Sequence, residues 1–179
     1  MLPESTLLTT KLHRPPADVT WVARPALLNR LQQGLTGKLI LISAPAGFGK
    51  TSLISQWIDQ FSVPNLADGL NKATHHPPST IPYAKCCWLS LDDSENELAL
   101  FLQYIVAALR SHFPAAGANL MRMSAALQLP PVQHLAAILL GELAALPEEC
   151  ILVLDDYHWI TEGSIHQLLT RVIERLPQH

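Results

Sequence analysis

The stretch Ala44-Pro45-Ala46-Gly47-Phe48-Gly49-Lys50-Thr51 has the residue types and spacing of a phosphate-binding loop. A polyphosphate needs backbone N–H groups converging on its oxygens, glycine where the chain bends tightly, and the positive end of a helix. Gly47 and Gly49 permit the bends, and Ala46 through Ser52 supply the amides. In this pattern Lys50 reaches the β and γ phosphates, and the Thr51 hydroxyl holds Mg²⁺. Ala44 replaces the glycine that usually opens the loop; a small residue can still turn there if the backbone does not demand positive φ.

Such a loop predicts a partner, a buried strand ending in an acid that reaches the metal. Cys150-Ile151-Leu152-Val153-Leu154 followed by Asp155 and Asp156 fits that description. Asp155, first after the strand, is the expected Mg²⁺ contact, direct or through water. Asp156 lies where many phosphate-loop ATPases keep an acid, usually Glu, that orients the attacking water, so turnover is expected to be slow. The expected catalytic set is therefore Lys50, Asp155 and Asp156. Asp92 and Asp93 read as a turn and helix cap, His75 and His76 as a solvated pair, and His158 as a surface histidine behind the acids.

These residues need elements to hold them. Lys38 to Ser43 is a nearly continuous apolar run, the pattern of a strand buried on both faces of a parallel sheet. Thr51 to Phe61 then places Leu53, Ile54, Trp57, Ile58 and Phe61 at helical spacing. A second strand is expected over Ala84 to Leu91. Ser94 with Glu97 offers a capping box for the next helix, which runs through Leu109 and is closed by Pro114. Another helix starts near Pro131 and ends before Pro147, and the last spans about Gly163 to Leu176. Ahead of all these, Pro25 opens a helix that Gly34 can end. The alternation predicts an α/β fold: a three-layer phosphate-loop NTPase with a parallel sheet, truncated after the acid-bearing strand and its following helix. Residues 1–37 are expected to flank the nucleotide site, 38–179 to form the partial core, and 62–82 to be an exposed, proline-rich insertion.

Bulk composition narrows the function classes. The 179 residues are 49% hydrophobic and only 15% charged, which excludes disorder of the whole and suggests apolar surface meant for something else. A net charge of −3 with scattered basic residues argues against direct nucleic-acid binding by this segment. The three cysteines, Cys86, Cys87 and Cys150, sit in apolar runs and suit reduced core thiols in a cytoplasmic protein. The N-terminus lacks a secretory pattern and no stretch reads as a membrane span.

Several motifs together resemble the opening of the MalT-like, large ATP-binding LuxR-type transcriptional regulators, which are STAND-type NTPases. They are Lys11-Leu12-His13-Arg14-Pro15, Val22-Ala23-Arg24-Pro25 with Leu27-Leu28, the loop from Ile42 to Thr51 with Gln56-Trp57, Trp88-Leu89-Ser90-Leu91-Asp92, and Leu152-Val153-Leu154-Asp155-Asp156-Tyr157-His158. The Ala-first loop is itself a mark of that family. The resemblance implies a signal-transducing ATPase in which inducer and ATP favour an open, self-associating state and ADP a closed one, with DNA bound by a C-terminal helix-turn-helix absent here. It also implies that Val22 and Arg24 lie near the adenine and ribose, and that a further strand, not found in this sequence, lies between the phosphate-loop strand and the acid-bearing strand. The sheet is expected to be incomplete, or else those two strands pair directly. Two other readings fit parts of the pattern. A stand-alone small kinase or phosphotransferase would need an arginine-rich lid, and only Arg110 and Arg122 lie between the second and third strands. A non-catalytic nucleotide-binding module working by oligomerisation is suggested by Asp156 in place of Glu.

Overall fold

A computed structural model describes residues 7–16, 21–22, 24–62, 85–125 and 128–177. In chain order the elements are α1 (Pro25–Gly34), α2 (Lys50–Ser62), β1 (Lys85–Ser90), α3 (Leu98–Arg110), α4 (Ala118–Ser124), α5 (Val132–Ala144), β2 (Cys150–Asp155) and α6 (Gly163–Arg175). Short 3₁₀ turns occupy Thr9–Leu12, Asp93–Glu95 and Tyr157–Trp159. The expected insertion over 62–82 lies outside the described residues, apart from Ser62 at the end of α2.

The chain divides into two compact units, Met1–Arg14 with Lys85–Pro177, and Pro15–Ala84 with Gln178–His179. In the first, β1 and β2 pair in parallel, in a register running from Lys85 opposite Cys150 to Ser90 opposite Asp155. Leu91 N–H donates to the Asp155 carbonyl at 3.0 Å, so the ladder extends past the acid. Cys87, Trp88 and Leu89 are consecutive and all buried, which requires cover on both faces of β1. Phe101, Leu102, Ile105 and Leu109 of α3 pack with Leu135 and Leu139 of α5 and Ile165, Leu168 and Val172 of α6 to complete this core. Parallel strands joined through α3, α4 and α5 make this an α/β fold. The cysteines are free thiols, and burial pushes the Cys86 thiol up to about 11, as suits a core residue kept out of thiolate chemistry.

In the second unit, α1 and α2 pack together, with Leu31, Leu53, Trp57 and Ile58 buried. Pro25 occupies the first turn of α1, where its missing N–H costs nothing. Here one expectation is corrected. Residues 38–43 form no strand. They alternate, with Leu39 59% and Leu41 79% exposed while Ile40 approaches Gly34. An apolar run records burial in a finished sheet, but a strand exists only through ladder bonds to neighbours. Among the described residues the sheet has two strands, and the intervening strand implied by the family resemblance is not one of them.

A second correction concerns the cap before α3. The capping box is Asp92 with Glu95, around the 3₁₀ turn, whereas Glu97 precedes α3 and makes no side-chain cap. Pro114 lies in the turns beyond Arg110, and α4 is a further helix that the sequence reading lacks; Gly117, whose φ is +74°, is its N-cap.

Candidate functional site

The loop from Ala44 to Lys50 connects residues 38–43 to α2, and its shape comes from two glycines in left-handed backbone, Gly47 at φ +80° and Gly49 at φ +74°. Other L-residues reach that region at a cost of roughly 1–2 kcal/mol, so the pattern read from the sequence corresponds to a conformational need. Phe48 N–H bonds the Pro45 carbonyl at 3.4 Å, and Leu53 N–H closes the first turn of α2 onto the Gly49 carbonyl at 3.0 Å. By helix geometry, the first amides of α2 point out of its N-terminal end. They form the donor array that an anion at this end would use, supported by the helix dipole. Thr51 carries a hydroxyl oxygen, and Asp155, in the other unit, a carboxylate oxygen; each is the hard donor type that Mg²⁺ takes.

Lys50 folds back over the loop, its Nζ donating to the Ala44 carbonyl at 3.0 Å and the Pro45 carbonyl at 3.3 Å. Arg24 adds a second cation. Its Nη1 donates to the Phe48 carbonyl at 2.8 Å, and Nη2 lies 3.4 Å from where a Cβ on Gly49 would stand. The structure thus places Arg24 against the backbone of the loop. Val22 is 74% exposed, and Ala46 and Phe48 are also exposed.

In the other unit, Asp155 closes β2 as a buried carboxylate whose Oδ1 accepts from the Asp156 N–H at 3.1 Å. Asp156 is the non-glycine residue with positive φ among those described, at +55°. Aspartate tolerates this conformation better than most residues, and here it turns the chain sharply off the strand. Trp159 N–H and Ile160 N–H return to the Asp156 and Tyr157 carbonyls at 3.1 and 3.0 Å, closing the turn. Asp156 stays half exposed, 3.7 Å from His158 Nδ1, and Tyr157 Oη meets His166 Nδ1 at 2.6 Å.

Two residues here were missed by the sequence reading, Lys11, which entered it only as a motif letter, and Asn96, which did not enter it at all. Lys11 is buried, and its Nζ meets Glu95 Oε1 at 2.6 Å, Asp92 Oδ2 at 2.7 Å and Ser94 Oγ at 3.0 Å, one oxygen for each ammonium donor. Ser94 Oγ donates to Glu95 Oε1 at 2.8 Å, and Glu95 Oε2 accepts from Asp92 N–H at 2.9 Å. Burial works against the Lys11 charge, but Asp92 and Glu95 outweigh it and hold the ammonium above its ordinary value; the Lys11 bond holds the Asp92 carboxyl well below its own. Asp92 is thus a cap and ion-pair partner, as its turn position suggests. The second residue is Asn96, whose side chain ties the 92–96 turn to the chain after Trp159. Only a short polar residue just ahead of an apolar helix hinted at it.

Residues 21–179 match the model of the AAA ATPase domain. The chain belongs to the AAA ATPase domain family. This AAA ATPase domain is also similar to the HTH-type transcriptional regulators MalT of Cronobacter sakazakii, at 34% identity over 173 residues, Yersinia pestis, at 32% over 176, and Vibrio parahaemolyticus, at 30% over 172. The alignments cover 96–97% of this chain and 17% of each regulator. The AAA ATPase domain described here therefore spans about a sixth of the length of these relatives. No helix among its described residues is long and apolar enough to cross a membrane.

Proposed function

We propose that this chain is the ATP- and ADP-binding module of a cytoplasmic, signal-transducing transcription regulator of the STAND type. Residues 38–179 would form its partial nucleotide-binding core, 1–37 the flanking segment, with 62–82 an insertion. The observation that carries this reading is the loop itself: two glycines in left-handed backbone, a helix N-terminus immediately behind, and Lys50 lying across the loop.

On this reading Ala46 to Ser52 are the Walker A amides and side chains that hold the α, β and γ phosphates. Lys50 exchanges two neutral carbonyl acceptors for anionic oxygens. Charge-assisted bonds are roughly twice as strong as neutral ones, so that exchange favours the bound state. Arg24 keeps the loop in shape through the Phe48 carbonyl, and Val22 with Arg24 borders the adenine and ribose. Thr51 and Asp155, the Walker B acid, are the residues that would hold Mg²⁺, and the ion would supply neutralisation of charge on the phosphates. Asp156 would orient the water that attacks the γ phosphate as the bond to ADP breaks, slowly because its side chain is short, and in the full-length protein rather than in this segment alone. The partners of this segment would be the nucleotide and either a second copy or the other domains of a longer regulator, with DNA bound by a C-terminal helix-turn-helix rather than by this segment.

The test is titration of a fluorescent ATP analogue with and without Mg²⁺. The wild-type chain binds more tightly with Mg²⁺, and Asp155→Asn loses that gain while keeping the metal-free affinity. An unchanged gain in Asp155→Asn removes Asp155 from the site.

A further inference from the structure

We propose that Asn96 is a positioning residue for the acid-bearing loop, a role that rests on the reading of Asp155 and Asp156 given above. Its carboxamide uses both ends. Nδ2 donates to the Trp159 carbonyl at 2.8 Å and to the Asp93 carbonyl at 3.3 Å. Oδ1 accepts from Thr161 N–H at 2.7 Å, Glu162 N–H at 3.1 Å and Thr161 Oγ1 at 3.3 Å. No other side chain of this length offers a donor and an acceptor side by side, so aspartate would face the Trp159 carbonyl with oxygen, and alanine would remove the bonds that tie the Trp159 carbonyl and the Thr161 and Glu162 amides to the 92–96 turn.

The position of the loop follows from its two fixed ends. At the start, Asp155 is held by the ladder to β1 and by the Leu91 amide. At the end, Trp159, Thr161 and Glu162 are held by Asn96, and the buried Ile160 side chain anchors the segment between them. Between the ends lie only Asp156 in left-handed backbone and one 3₁₀ turn. A segment this short, fixed at both ends, gives the Asp155 and Asp156 carboxylates little freedom. Asn96 is itself on a rigid base, since the 92–95 turn that precedes it is tied by the capping box and by buried Lys11. The bonds reach from the β1 to α3 turn across to the β2 to α6 turn, so each turn fixes the other.

Partners that orient metal-binding carboxylates commonly change metal affinity by about 10-fold or more when removed. Asn96→Ala is expected to speed hydrogen exchange at the Thr161 and Glu162 amides and to reduce the Mg²⁺-dependent gain in affinity for the fluorescent ATP analogue by about 10-fold, with metal-free affinity unchanged. The unchanged metal-free affinity reports that the chain is folded. A control for simple loss of stability is Gly117→Ala, at a left-handed residue whose Cβ would lie 2.5 Å from Val106 Cγ1; it is expected to lower the thermal midpoint without touching the gain. The proposal is overturned if Asn96→Ala frees the two amides yet keeps the full gain, or if Gly117→Ala loses it equally. A wild-type chain with no Mg²⁺-dependent gain sinks the metal reading of Asp155 and this role with it, while the exchange data still report separately whether Asn96 anchors the loop.

Discussion

Lys11 shows how one residue can carry an electrostatic cost that only its neighbours offset. Glu95 is fully buried and Lys11 nearly so; each charge is tolerable because every donor and acceptor around it is filled. Removing Lys11 leaves the Glu95 carboxylate buried without a cation beside it. Lys11→Met is therefore expected to destabilise the fold by about 3 kcal/mol or more in urea unfolding, and the double variant Lys11→Met, Glu95→Gln to recover part of that loss. The same network sets a pH dependence. Asp92, held below its ordinary value of 3.8, adds stability that is present above that pH and lost as pH falls toward its folded value; Lys11, held above 10.5, adds stability lost only as pH rises beyond that. Stability should plateau between these limits. Lys11→Met should flatten the acid limb of the urea midpoint against pH, since the bond to Lys11 is the largest influence on Asp92. In the loop, Gly49→Ala should cost roughly 1–2 kcal/mol from its φ alone, because the nearest Arg24 atom leaves a methyl group ordinary room.

At the scale of elements, the sequence was most legible where a segment makes its own structure. The helices over 25–34, 98–110, 132–144 and 163–175 fall within a few residues of their expected limits, since apolar spacing and flanking proline or glycine act locally. Likewise β1 and β2 fulfil their two strand signals by pairing with each other. Residues 38–43 carry an equally strong apolar signal, but their ladder partners are not among the described residues, and no local pattern can replace a missing neighbour. Their amides should exchange far faster than those of Cys87 and Leu89 in β1; comparable protection would mean that the strand forms after all. The cap before α3 was misread for a related reason. Asp92-x-x-Glu95 and Ser94-x-x-Glu97 are overlapping candidates offset by two residues, and the buried Lys11, distant in sequence, favours the first.

For the whole molecule, the loop and the acid strand were visible as motifs, because phosphate and metal chemistry restricts which residues can serve. What their spacing could not reveal is that they belong to two different compact units, or that Asn96 and Lys11 hold the turns beside the acids. Those are long-range contacts, 65 residues apart for Asn96 with the Thr161 N–H and 84 for Lys11 with Glu95, made by side chains of common type. The chain spans 17% of the length of the MalT regulators it resembles, and its exposed large apolar side chains include Leu39 and Leu41. The central claim is that this loop binds nucleotide polyphosphate. It is tested most directly by titrating a fluorescent ATP analogue into the wild-type chain and into Lys50→Ala: the account predicts binding that weakens about 10- to 100-fold in the variant, the worth of a charged hydrogen bond or two, whereas equal affinity in both proteins would contradict it.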